Sequence, residues 1–218
     1  MSTSTVTLRR PVSAIERRQR SLAQMDDEDL MQAFQNGSVE AFDLLVARYK
    51  DPLAAYLYRF LGDARESEDL LQETFLRVFR NRHSYRRIAR FSTWLYTIAG
   101  NLARSEYRKR RRRRVTSLQG INRDSEEYEV EIPDETFRPD TSANGALQED
   151  AIQKAFAQIP DEFREVVVLR DIQQLAYEEI AEITGLPMGT VKSRINRGRT
   201  KLQQLLRDVY TPDEDDWL

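Results

Sequence analysis

LAYEEIAEITGLPMGTVKSRINRGRTKL, residues 175–202, is the stretch whose reading decides the fold. A short amphipathic helix from Ala176 to Thr184 stops at Gly185, where a residue without Cβ can take the left-handed conformation that ends a helix. Pro187 suits the first turn of a second helix, since its missing N–H would be unpaired there anyway. That second helix places Val191, Ile195 and Leu202 on one side and Lys192, Ser193, Asn196, Arg197 and Arg199 elsewhere. Two helices joined by a tight glycine turn, the second bearing short polar and guanidinium side chains, fit the major groove of B-DNA. There Arg and Lys pair with guanine, Asn with adenine, and Ser or Thr with phosphate. Basic residues alone would suggest a solvated surface helix; the glycine turn, the apolar spacing and the EEIA opening favour the DNA reading.

Composition narrows the alternatives. The 218 residues suffice for one large or two small domains. A net charge of −2 points to no partner, so charge has to be read locally. The chain has no cysteine and a single histidine, His83, which excludes disulfides, thiolate metal sites and multi-histidine clusters. No cofactor or metal is expected, and without a Gly-rich phosphate loop or the usual nucleophiles no catalytic residue is assigned. No apolar run approaches the roughly 18 residues that span a bilayer, and the N-terminus lacks a signal-peptide core, so a soluble, cytoplasmic protein with no membrane insertion is expected.

Charge is segregated along the chain. Residues 104–114 hold eight Arg or Lys against Glu106, a local balance of +7, and residues 124–140 hold eight acids against Arg138, a balance of −7. Residues 211–218 add four more acids. Pro133, Pro139, Asn144 and Gly145 mark a linker with little apolar periodicity. The expected organisation is a flexible basic arm (1–25), a helical domain (26–114), a flexible acidic linker (115–146), a second helical domain (147–210) and an acidic tail (211–218).

The first domain reads as all helix. Asp26 or Asp27 caps a helix carrying Leu30, Met31 and Phe34, which ends at Asn36-Gly37. Ser38 opens the next, with Phe42, Leu45, Val46, Tyr49, Leu53, Tyr56, Leu57 and Phe60 inward until Gly62. A third, from about Glu66 to Arg80, turns Leu70, Leu71, Phe75, Val78 and Phe79 inward and leaves Asp69, Gln72, Glu73 and Arg77 on its polar side. Ser92 is expected to cap a fourth, with Trp94, Leu95, Ile98 and Leu102 as its buried stripe. The intervening loop 81–91, NRHSYRRIARF, interleaves Arg82, Arg86, Arg87 and Arg90 with His83, Tyr85 and Phe91. That is a composition of single-stranded nucleic-acid surfaces, where bases stack and phosphates are neutralised. Most of the other aromatics read as core.

EDLLQETFLRVFR (68–80) followed by FSTWLYTIAGNLAR (91–104) resembles region 2 of bacterial extracytoplasmic-function (ECF) sigma factors, and 175–202 is similar to their region 4. Order and intervening linker match as well, so the resemblance covers nearly everything from 26 to about 210. It implies an all-α fold of two small helical domains, a region 2 bundle and a region 4 helix-turn-helix, and a factor that is not an enzyme. It implies core RNA polymerase as partner, through the β′ clamp helices and the β flap, with Asp69, Gln72, Glu73 and Phe75 on the clamp-docking helix. Arg82, His83, Tyr85, Arg86, Phe91, Trp94 and Asn101 would surround a base flipped from the −10 non-template strand. Lys192, Ser193, Asn196 and Arg197 would read the −35 element of promoter DNA, with Thr190, Arg194 and Arg199 nearer phosphates. An anti-sigma factor is a further implied partner.

Two positions depart from the family pattern. Ser105, followed by Glu106, stands where an Asp is often placed, and Gly198 lies inside the recognition helix where Ala is usual, at about 1 kcal/mol in helix propensity. Two weak DNA-binding domains on one chain become specific together through effective concentration. The competing reading is a stand-alone helix-turn-helix regulator, which would footprint duplex DNA without polymerase.

Overall fold

The computed structural model describes residues 22–120 and 143–210, with side chains at 22–113 and 148–207. Most of the expected arm, most of the acidic linker and the acidic tail therefore lie outside the described residues. Among those described there are helices and no strands. They are α1 (Asp27–Gln35), α2 (Val39–Leu61), α3 (Ala64–Arg80), a 3-10 turn (Arg82–Ser84), α4 (Phe91–Gly120), α5 (Ala143–Gln158), α6 (Asp161–Val167), α7 (Tyr177–Thr184) and α8 (Met188–Tyr210). A π-helical segment, Val168–Ile172, continues α6.

Local chemistry explains the boundaries. Asp26 accepts the Asp29 N–H at 2.7 Å, Ser38 accepts that of Ala41 at 3.3 Å, and Asp63 accepts that of Glu66 at 2.9 Å, each meeting an N-terminal donor the helix leaves unpaired. α2 and α7 both end on left-handed glycines, Gly62 (φ 73°) and Gly185 (φ 69°), as the sequence predicts. Three local expectations need correction. The first N–H of α4 is met by Glu28, whose carboxylate accepts from Phe91 at 2.9 Å, so Ser92 is not its cap. Pro187 precedes α8, its carbonyl accepting from Thr190 and Val191, and so lies one position outside the first turn. The buried face of α4 carries Phe91, Leu95, Tyr96, Ala99 and Ala103, while Trp94, Ile98 and Leu102 are only half-buried. The stripe is rotated because a second layer covers it.

That layer is the other half of the chain. In the first half α2 packs on α1, α3 and α4; in the second α8 packs on α5, α6 and α7. The halves then meet, α4 against α7 and α2 against α5, α6 and the π segment, so one hydrophobic core runs from Leu22 to Ile195. Leu30, Tyr56, Leu57, Phe156, Leu169 and Ile180 are among its fully buried side chains, each worth about 1.5–3 kcal/mol in transfer from water. Phe79, expected inward, is 41% exposed; its ring lies against Phe34 (5.3 Å) and Phe42 (5.4 Å) at the rim of the core.

Polar groups bridge the halves at helix ends. Arg164 donates to the Phe60 carbonyl (2.8 Å) and to those of Ala157 and Ile159 (both 2.9 Å), while its Nε is left unpaired. Gln153 donates to Tyr58 O at 3.1 Å, and Gln173 to Pro52 O at 3.0 Å. Gln173 follows the π segment and precedes Gln174, a non-glycine residue at φ 56°. Burial lowers the pKa of Arg164, whose guanidinium lies 5.9 Å from the Tyr107 ring centre. Gly198, costly by propensity alone, has a packing reason. A Cβ there would lie 2.4 Å from Val167 Cγ2, so only glycine lets α8 approach α6 this closely.

Candidate nucleic-acid interface

The helix-turn-helix is held by its own caps. Glu179 reaches back to accept the Ala176 N–H at 2.8 Å, and Ile180, Ile183, Val191 and Ile195 are buried between α7 and α8. With that side of α8 committed to the core, Lys192, Ser193, Asn196 and Arg197 fall on the solvent side and are all exposed. Their spacing of one, three and one residues gathers them on one helix face, as a surface entering the major groove requires. Ser193 donates its hydroxyl to Thr190 O at 3.0 Å, leaving its lone pairs to face outward; Thr190 itself is half-buried.

The flanking arginines are already engaged. Arg194 pairs with Glu162 at 3.3 Å. Arg199 forms a bidentate pair with Asp171, with Nε at 2.9 Å from Oδ2 and Nη2 bonded to Oδ1; this hydrogen bond raises its pKa. Both acids belong to α6 or the π segment, so these arginines fasten α8 to its own domain.

In loop 81–91 the residues separate into core and surface. Tyr85 is 5% exposed and donates its hydroxyl to Ala89 O at 2.9 Å. Burial pushes that hydroxyl up to about 12. Its ring meets Trp94 (5.4 Å) and Phe91 (6.1 Å), and Phe91 is itself buried. Both aromatics are thus occupied inside the fold. Arg82 lies over the Phe34 and Phe79 rings, each 5.5 Å away, and donates to Phe79 O. Arg87 pairs with Asp29, and Arg90 with Glu179 of the other half. His83 and Arg86 are exposed, and Trp94 offers one half-buried edge. The loop residue the sequence reading passed over is Ile88, 93% exposed, which an apolar type would not suggest.

Asn101 is exposed on α4, and its Oδ1 accepts from Arg104 Nη2 at 2.7 Å. A guanidinium only donates, so this bond orients the amide with its NH₂ away from Arg104. Arg104 also bonds Glu165, which accepts from Tyr56 at 3.2 Å, and its Nη2 reaches the Ile183 carbonyl at 3.3 Å. Burial raises the Glu165 carboxyl above the usual range against the opposing pull of Arg104, and raises Tyr56 well above its own. Further along α4, Arg108, Lys109, Arg111 and Arg113 are exposed, while Arg110 folds back toward Leu61 O and Glu66.

On α3, Asp69 and Gln72 are exposed and Glu73 is half-buried in an i,i+4 pair with Arg77 at 2.7 Å. Phe75 is half-buried, its ring edge 6.4 Å from Phe42. Leu76, which the helical pattern did not single out, is 47% exposed beside them, so α3 offers acids and apolar surface together. Among the described residues no group of three His, Cys, Asp or Glu could hold a metal ion, and no helix is long and apolar enough to cross a membrane.

Comparison with known proteins bears on both halves. The family model Sigma-70 region 2 matches residues 45–113, and Sigma-70, region 4 matches residues 149–202. The ECF RNA polymerase sigma factor SigW of Bacillus subtilis is 37% identical over 187 residues, covering 79% of this chain and 92% of that one. The RNA polymerase sigma-H factor of Pseudomonas aeruginosa is 35% identical over 196 residues, 86% of this chain and 100% of its own. Among solved structures, CnrH in complex with the cytosolic domain of CnrY aligns at TM-score 0.62 and 25% identity, covering 84% of this chain and 97% of that one. The sigma factor RpoE in complex with the anti-sigma factor NepR, from Bartonella quintana, aligns at TM-score 0.56 and 25% identity, over 76% and 96% of the two chains.

Proposed function

Because the chain belongs to the ECF sigma factors, we propose that it binds core RNA polymerase, reads the −35 element with α8 and captures the opened −10 non-template strand at Asn101 and loop 81–91. The observation that carries this reading is the exposed quartet Lys192, Ser193, Asn196 and Arg197, set on one face of a helix whose opposite face is buried. Lys192 and Arg197 are suited to guanine edges and Asn196 to adenine. The engaged Arg194 and Arg199 stand at the margins, where phosphate contacts set register and carry no sequence information.

To strand capture we assign Asn101, with its amide donors outward, the exposed Ile88, His83 and Arg86 of the loop, and the basic run of α4. Tyr85 and Phe91 support that loop from within instead of stacking on bases. Extruding a base costs a few kcal/mol, which the charged and polar groups around the opened strand offset. Polymerase docking falls to α3, where Asp69, Gln72 and Glu73 border exposed Leu76 and Phe79. The sigma factor RpoE is seen with the anti-sigma factor NepR and CnrH with the cytosolic domain of CnrY, which supports an anti-sigma protein as a partner of this chain as well.

Run-off transcription with purified core polymerase on a genomic fragment library tests the reading. Core enzyme plus this chain should initiate at discrete new sites that neither component gives alone. Footprints on duplex DNA without polymerase, with no new transcripts, would make the chain a stand-alone regulator instead.

A further inference from the structure

The contact between the halves contains a buried polar network as well as apolar surface. Arg104 of α4 bonds Glu165 of α6, and Tyr56 of α2 donates to the same carboxylate oxygen at 3.2 Å. Gly100 leaves the room it needs: a Cβ there would lie 3.0 Å from Arg104 Nη1 and 3.2 Å from both Glu165 Oε1 and Tyr56 OH. The Glu165 side chain is only 10% exposed and that of Arg104 26%, so the pair is largely withdrawn from solvent. Charge-assisted bonds in such a place are strong, and breaking one side strands the other.

Arg104 also belongs to a second set. Asn101, Arg104, Arg108 and Arg111 follow one another at steps of three, four and three residues and so line one face of α4, about 15 Å long at the helical rise. A stripe of one amide and three guanidinium groups is the form of a track for a nucleic-acid backbone. Its far end is exposed at Arg108 and Arg111, while at the near end α7 covers Arg104 through the Ile183 carbonyl.

We propose that Arg104 is shared between two exclusive uses. With the halves docked it is held by Glu165; with them apart it joins Asn101, Arg108 and Arg111 on single-stranded DNA. Docking and strand capture then compete for one guanidinium, so single-stranded DNA opens the protein and an opened protein binds it better. By linkage the two effects are equal in free energy. The inference rests on the reading of Asn101 as part of the strand-capture site.

The absence of cysteine allows dyes to be placed at will, at exposed Lys50 on α2 and Gln203 on α8 through Lys50→Cys and Gln203→Cys in the full chain. Energy transfer between them reports docking, and fluorescence anisotropy reports binding of a short mixed-sequence single-stranded DNA. Glu165→Gln should lower transfer and tighten DNA binding about tenfold, by releasing a binding-competent state that docking withholds. Arg104→Ala should lower transfer equally and bind no better than wild type. Tyr56→Phe, which removes only a hydroxyl, gives a smaller loss of transfer and guards against misfolding of the Glu165 variant. Unchanged transfer in both Glu165→Gln and Tyr56→Phe would overturn the latch, and an opened Glu165→Gln protein with wild-type DNA affinity would overturn the competition. Asn101→Ala without effect on DNA binding in the Glu165→Gln background overturns the strand-capture reading instead, and the transfer results still decide the latch.

Discussion

Gly198→Ala sets two effects of similar size against each other, and the geometry decides which wins. Replacing glycine by alanine inside α8 gains about 1 kcal/mol of helix propensity. The new methyl would lie 2.4 Å from Val167 Cγ2, 3.2 Å from Phe163 Cβ and 3.3 Å from the Phe163 carbonyl oxygen. Val167 is fully buried in α6, where a β-branched side chain has essentially one rotamer, so it cannot swing aside. Overpacking of this kind costs about 1–3 kcal/mol. The variant should therefore lose about 1 kcal/mol in urea denaturation followed by circular dichroism. In a Val167→Ala background the obstructing methyl is absent and the same substitution should be neutral or stabilising, a coupling above about 1 kcal/mol in a double-mutant cycle. Gly198→Ala that stabilises the otherwise wild-type chain would refute the close-approach argument.

Other predictions concern the interfaces. Asp69→Lys with Glu73→Lys should abolish co-purification with core polymerase while leaving helix content unchanged, as both lie on the outer side of α3; wild-type retention would remove the assigned docking surface. Arg197→Ala should cost about 1–3 kcal/mol on the −35 duplex and relax preference at one base pair, measured by competition between −35 sequence variants. Arg199→Ala should instead lower Tm, since it breaks the bond with Asp171. Tyr85→Ala should lose about 3–5 kcal/mol of stability because the ring is core. Tyr85→Phe, which removes only the bond to Ala89 O, should lose about 1 kcal/mol and leave promoter opening unchanged.

What could be read from residues alone was the local part. Asp26, Ser38, Gly62 and Gly185 act within one turn of themselves, so their helices were predictable from chemistry near in sequence. The docking of the halves was not. Arg164 and Glu165, in DEFREVVVLR, look like ordinary charges on an amphipathic helix, and nothing within several residues signals that Phe60 O, Tyr56 and Arg104 await them. The same limit applies in loop 81–91. Arginine interleaved with aromatics describes a nucleic-acid surface and the rim of a core equally well, and only packing puts Tyr85 inside and Ile88 outside. Gly198 shows the converse: a propensity defect in one dimension becomes a fit once Val167 is beside it.

The bonds from Arg164 to Phe60 O, Gln153 to Tyr58 O, Gln173 to Pro52 O and Arg104 to Ile183 O all end on main-chain carbonyls. A carbonyl is present whatever side chain stands at its position, so these contacts survive sequence drift on the accepting side. Hybrid proteins that join the first half of one relative to the second half of another should keep them. Among the described residues, the side-chain pairs to transplant together are Arg59 with Glu149 and Gln153, Tyr56 and Arg104 with Glu165, Tyr96 with Gln173, and Arg90 with Glu179. Promoter preference could then be exchanged piecewise, with the seam between the halves carried along as a small set of matched residues.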